Sequence, residues 1–166
     1  SRVVAETFDQ QITNSSSSQD APSIYMNKIV YADDKRGNYN RDIYMYDLTT
    51  NKEIQITNIP SQKYNPFIYK DKIVWEDNRN GNWDIYMYDL DNKHETRITN
   101  DSSYQNHPFI YKDKIVWEDN RNGNWDIYMY DLDNKHETRI TNDSSYQNHP
   151  FIYKDKIVWE DNRNGN

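Results

Sequence analysis

The chain has no cysteine, which excludes disulfides and thiolate metal sites. No apolar run approaches the ~18 residues that a membrane-spanning helix needs. Basic residues are in the minority: 27 Asp+Glu against 20 Lys+Arg give a formal net charge of −7. That balance argues against a nucleic-acid surface, which needs clustered positive charge. Only 34% of the 166 residues are hydrophobic, and only four are glycine. Helical patterning is missing too, since no window of useful length keeps a 3.6-residue apolar period. No signal peptide is visible, although Ser1 is not a natural start, so a removed leader fits the sequence.

Aromatic residues stand where aliphatic ones are scarce: 15 Tyr and 5 Trp. A few such side chains can fill the thin layer between stacked sheets. Gly37, Gly81, Gly123 and Gly165 fall at one point of a repeating pattern, and Pro22, Pro66, Pro108 and Pro150 at another. Trp83–Asn124 returns letter for letter as Trp125–Asn166, a repeat of 42 residues. A diverged copy runs from Asp42 to Asn82. A looser one, from about Gln11 to Arg41, has two extra residues in one loop. Repetition at this period marks an array of stacked units.

Four short strands are expected per repeat, from runs rich in Ile, Val, Tyr and Trp between polar turns. The first is PFIYK (66–70, 108–112, 150–154), and the second is KIVWED (72–77, 114–119, 156–161). The third is DIYMYDL (42–48, 84–90, 126–132), and the fourth is the short ETRIT or EIQIT segment. Asn80-Gly81 and Asn122-Gly123 predict two-residue type I′ turns, which need φ > 0 at both positions. That register sets Arg121 opposite Asn124, Asp119 opposite Asp126, and Trp117 opposite Tyr128. Along the third strand, Ile127 and Met129 take one face, and Tyr128, Tyr130 and Leu132 the other. Both faces should therefore be covered. A four-stranded sheet buried on both faces and repeated every 42 residues is a propeller blade. The expected fold is an all-β propeller of four-stranded antiparallel blades in one array over 1–166. The blades run about 20–58, 64–100 and 106–142. A half blade at 148–166 is completed by residues 1–14 of the same or another chain.

The strings W-E-D-N-R-N-G-N-W-D-I-Y-M-Y-D-L and I-T-N resemble the repeats of TolB-like β-propellers, in the tandem variety of archaeal and bacterial cell-surface proteins. The resemblance covers nearly the whole chain. It implies a propeller on the exported side of the membrane and identifies no catalytic residue. Members of that group range from binding modules to the propeller domains of peptidases and lyases.

Several constellations are candidates for chemistry. Asp119 and Asp126 face each other across the inferred hairpin with Arg121 beside them, and Asp77, Arg79 and Asp84 repeat the trio. Like charges directly opposite repel unless something lies between them. Arginine bridging both carboxylates is the expected answer. The alternative is a cation such as calcium on Asp119, Asp126 and the oxygens of Asn120, Asn122 and Asn124. The Glu76-Asp77, Glu118-Asp119 and Glu160-Asp161 pairs are not expected to be catalytic dyads, because adjacent strand residues point to opposite faces. His107 and His149 precede the proline of the innermost strand, where Asn65 and Ala21 stand in the other copies. They could hold a metal at the channel mouth, but a repeated surface residue is the expected reading. No cofactor is expected. His94 and His136 belong to a solvated turn. Tyr104 and Tyr146 could stack on sugars or cover blade ends. Asn14-Ser15-Ser16, Asn100-Asp101-Ser102 and Asn142-Asp143-Ser144 match the glycosylation sequon and are compatible with an extracellular or cell-surface location.

The functional expectation is a non-enzymatic binding platform or scaffold with a protein or glycan ligand, because two copies are identical and an enzyme site breaks symmetry. The alternatives are a multivalent carbohydrate-binding propeller and, behind it, a lyase or hydrolase. The identical copies also fit engineering or recent duplication. Three third strands for four second strands imply an open sheet edge, which needs a cover. A two-fold pair of chains closing an eight-bladed ring is the expected homo-oligomer. A single four-bladed ring and a fragment of a longer array are the rivals.

Overall fold

The computed structural model describes residues 10–37 and 39–165. Among them are fourteen strands and no helix. Blade 1 is β1 (Gln19–Tyr25), β2 (Lys28–Asp33), β3 (Asp42–Asp47) and β4 (Lys52–Gln55). Blade 2 is β5 (Lys63–Tyr69), β6 (Lys72–Asp77), β7 (Asp84–Asp89) and β8 (His94–Arg97). Blade 3 is β9 (Gln105–Tyr111), β10 (Lys114–Asp119), β11 (Asp126–Asp131) and β12 (His136–Arg139). A fourth sheet has two strands, β13 (Gln147–Tyr153) and β14 (Lys156–Asp161). Every sheet is antiparallel with its strands in chain order. Residues 1–9, expected to help complete a blade, lie outside the described residues, and residues 10–14 form no strand.

The register across β10 and β11 is the expected one, with Trp117 opposite Tyr128 and Asp119 opposite Asp126. The turn that produces it is not. Asn80 and Asn122 do not have positive φ; only Gly81 (φ 94°) and Gly123 (φ 91°) do in those loops. The Gly123 N–H donates to the Asn120 carbonyl at 3.1 Å, closing a four-residue turn inside a six-residue loop. Asp119 sets it up by accepting the Arg121 N–H at 2.9 Å, the side-chain capture that lets aspartate begin a turn. Arg121 therefore does not pair with Asn124. The loop adds equal lengths to both strands, so the register survives. The fourth strands are shorter than ETRIT, because Ile98 and Thr99 both donate to the Ile85 carbonyl (2.8 and 3.3 Å) and leave the ladder.

The core lies between blades. Side chains alternate along β6, so Ile73 and Trp75 meet Val30, Ala32, Ile43 and Met45 of blade 1. Val74, between them in sequence, joins Ile85 and Met87 against Ile110, Ile115 and Trp117 of blade 3. Burying one large apolar side chain stabilises by about 1.5–3 kcal/mol, and no blade can bury its faces alone. The first strands β1, β5, β9 and β13 run side by side. Their rings form ladders: Phe67–Phe109–Phe151 (centroids 3.7 and 4.1 Å apart) and Tyr25–Tyr69–Tyr111–Tyr153 (4.9, 4.9 and 5.2 Å).

Candidate functional site

The first strands wall a cavity of about 490 Å³, lined by Asn65, His107, His149, Phe67, Phe109 and Phe151 among others. Its polar rim follows from the prolines. Each is preceded by a residue in the left-handed region: Ala21, Asn65, His107 and His149 have φ of 49–50°. The ladder to the second strand skips at each of these points, because proline has no N–H to offer it. The freed N–H of the preceding residue turns to the neighbouring blade. The His107 N–H donates to Glu76 Oε1 at 2.6 Å, and the His149 N–H to Glu118 Oε1 at 2.5 Å. Glu76 and Glu118 are buried. Asn65 Nδ2 also donates to Glu76 Oε1 at 2.7 Å. Burial pushes the Glu76 carboxyl above its ordinary range, against the pull of Asn65 and the His107 N–H.

Histidine stands at the Asn65 position in blade 3 and in the β13–β14 sheet. His107 Nδ1 lies 3.1 Å from Glu118 Oε2, and His149 Nδ1 lies 3.0 Å from Glu160 Oε2. The two imidazoles are neighbours, with ring centroids 4.8 Å apart. Glu118 raises the His107 pKa, against the opposing effect of burial.

The Asp–Arg trios are connected differently from expectation. Arg121 Nη2 donates to Asp119 Oδ2 at 2.5 Å, but its Nη1 goes to Glu137 Oε1 at 2.6 Å. Asp126 takes Arg139 instead, at 2.7 Å, with Thr141 Oγ1 at 3.2 Å. Blade 2 repeats this: Arg79 joins Asp77 to Glu95, and Arg97 holds Asp84 at 2.8 Å. Arginine thus does not bridge the facing pair; each aspartate has its own. Burial opposes the Arg121 charge, and Asp119 and Glu137 more than offset it, so its pKa is raised. The Arg121 guanidinium also lies over the Tyr128 ring, 4.3 Å from its centre.

The asparagines weighed for a calcium site make hydrogen bonds within the loops. Asn120 Oδ1 accepts the Tyr104 N–H at 2.8 Å, Asn122 Nδ2 donates to the Tyr128 hydroxyl at 2.7 Å, and Asn124 Nδ2 donates to the Asp143 and Ser145 carbonyls, both at 2.9 Å. Tyr104 and Tyr146 are half exposed. Tyr146 lines a small cavity of about 270 Å³ with Gly123, Asn124, Ser144, Ser145 and Asn162. His94 and His136 open β8 and β12 and are exposed.

Sequence reasoning weighed Glu76 and Glu118 only as members of Glu-Asp pairs and missed that they reach the neighbouring blade. The signal was present: a glutamate next to an aspartate on a buried strand must point to the opposite face. It also missed Lys63. This lysine is fully buried and stands where Gln105 and Gln147 stand in later blades. Its Nζ donates to the Ile59 carbonyl at 2.6 Å and pairs with Asp42 at 3.2 Å. Burial lowers its pKa, and Asp77 and Asp42 act against that.

No protein-family model matches the chain, and no curated protein is similar to it. Solved structures are. The chain is 24% identical to TolB from Acinetobacter baumannii, with a TM-score of 0.71 over 89% of this chain and 39% of that one. It is 22% identical to a putative TolB from Agrobacterium tumefaciens, with a TM-score of 0.68 over 80% of this chain and 50% of that one. The computationally designed Ika4 protein is 12% identical, with a TM-score of 0.66 over 93% of both chains. The chain thus spans half or less of the length of the two TolB structures. Similar structures also include a dipeptidyl peptidase and an oligogalacturonate lyase. The fold of this chain is that of a TolB-like β-propeller, all-β and built from four-stranded antiparallel blades.

Proposed function

We propose that the chain is a non-enzymatic β-propeller module of an exported or cell-surface protein, acting as a binding platform or scaffold. The observation that carries this reading is the equivalence of the blades. The Asp77–Arg79–Glu95 network of blade 2 recurs in blade 3 as Asp119–Arg121–Glu137, and each is spent on holding its own loop. A catalytic centre needs groups set apart from their copies and free to act on a substrate. A screen against hydrolase and lyase substrates should be blank; turnover that scales with protein would end the reading.

A platform of this kind needs its faces covered, and we assign the β13–β14 face to a second copy of the chain. Phe151, Tyr153 and Val158 are exposed there, whereas in the identical sequence of blade 3 Val116 is fully buried and Phe109 and Tyr111 are partly covered. A second copy already carries the matching surface, because its own blades seat on such faces. Two chains joined head to tail at both ends would close one ring. Light scattering should give twice 20.1 kDa. A monomer that stays folded at micromolar concentration would instead favour closure by the chain's own residues 1–14.

The exposed, repeated Tyr104 and Tyr146 support a second reading, a multivalent carbohydrate-binding propeller. Glycan titration with more than one site per chain, lost in Tyr104→Ala together with Tyr146→Ala, would select it over a scaffold.

A further inference from the structure

Among the described residues, three acidic or mixed clusters have the composition of a metal site: Asp71 with Asp89 and Asp91, Asp113 with Asp131 and Asp133, and His107 with Glu118 and His149. In each aspartate cluster a lysine already holds two of the three carboxylates. Lys72 Nζ sits 2.6 and 3.4 Å from Asp71 and Asp89, and Lys114 Nζ sits 2.5 and 3.3 Å from Asp113 and Asp131. The histidine cluster has no such cation, and no lysine or arginine lines the cavity beside it. One ligand atom from each of its three residues lies within 4.8 Å of the other two. His107 Nδ1 is buried and makes no hydrogen bond of good geometry, although Glu118 Oε2 is 3.1 Å away.

We propose that His107, Glu118 and His149 form a binding site for a divalent transition-metal ion of the zinc class, opening on the central cavity. This goes beyond the platform reading and stands without it. Two imidazoles and one carboxylate are a donor set that zinc accepts, with a fourth position left to water or a ligand. Zinc–ligand bonds of about 2.0–2.2 Å place tetrahedral donors roughly 3.3–3.5 Å apart, so the cluster must close by at most about 1.5 Å. It can. The His149 side chain is 56% exposed and the His107 side chain 41%, so both rings have room to turn. Glu118 is buried and supplies the fixed oxygen. Glu160 holds one nitrogen of His149 at 3.0 Å, the carboxylate–imidazole pairing that orients a ligating ring and raises its basicity.

The molecule contains its own control. The equivalent place between blades 2 and 3 has Asn65, Glu76 and His107, and there the Asn65 amide donates to the carboxylate at 2.7 Å. That place offers an amide donor where the other offers an imidazole nitrogen, so it has one metal ligand fewer. Ala21 of blade 1 offers no ligand at all. The site is therefore specific to the junction of blade 3 with β13–β14.

Titration of the full chain with zinc ions alone should give one site per chain. His107→Asn and His149→Asn reproduce a residue that the fold accepts at position 65, so both should stay folded. Each should bind zinc at least about tenfold more weakly, and Glu160→Gln should weaken it about tenfold as an orienting partner. His136→Asn, in exposed β12, should bind as the parent does. In the unmodified chain, zinc should shift the ring proton resonances of His107 and His149 and leave those of His94 and His136 in place. Unsaturable binding, equal affinity in the double variant His107→Asn/His149→Asn, or shifts confined to His94 and His136 would overturn the proposal.

Discussion

Blade 3 and the β13–β14 sheet have the same residues in their first two strands and do not have the same environment. Val116 has no exposure and Val158 has 59%; Trp117 is fully buried and Trp159 only partly. Glu118 is buried, and Glu160, its copy, is exposed. The difference lies in neighbours. β10 has β11 on its edge and β13 across its face, whereas β14 pairs only with β13 among the described residues. Identical sequence thus produces core in one place and surface in another, because apolar stabilisation is proportional to area removed from water by whatever is adjacent.

The largest test of that comparison is Trp117→Ala against Trp159→Ala. Emptying the fully buried Trp117 site should cost about 3–5 kcal/mol, and Trp159→Ala clearly less, by denaturant unfolding at concentrations where the chain is a monomer. Equal losses in the monomer would mean that the chain itself packs Trp159 as it packs Trp117.

Next is the arginine. Arg121→Ala would strand Asp119, which has no exposure, together with Glu137. Removing one partner of a buried pair costs roughly 3–5 kcal/mol, and the partial exposure of Arg121 sets the lower end as the expectation. Arg163→Ala removes the same contact, Arg163 to Asp161, where the arginine is half exposed. Its effect should be small and sensitive to salt. A large loss there would again point to a covered face.

The smallest effect compares two loops that should not differ. Gly81 and Gly123 have φ of 94° and 91°, and an added Cβ would meet nothing within 4 Å at either. Gly81→Ala and Gly123→Ala should each cost about 1–2 kcal/mol of backbone strain alone. Unequal losses, read from the midpoints of denaturant unfolding, would show that blades 2 and 3 are not equivalent.

The sequence by itself determined the period, the blade as a four-stranded unit and the pairing of Trp117 with Tyr128. These are local properties, set by alternation along a strand and by loops that add equal lengths to both sides. Even the turn type was not needed for the register. Only the tertiary structure decided which partners the polar groups take. Arg121 reaches Glu137 and Glu118 reaches His149, across 16 and 31 residues of chain respectively. The first depends on which way a loop side chain turns within its blade and the second on how one blade is set against the next, and repetition hides both by offering the same residue types at every blade. The structure also decided that Lys63 could be buried, because Asp42 and the Ile59 carbonyl close around its ammonium group. A charge enters a core only where its partners already stand, and partners from another blade cannot be read from strand patterns.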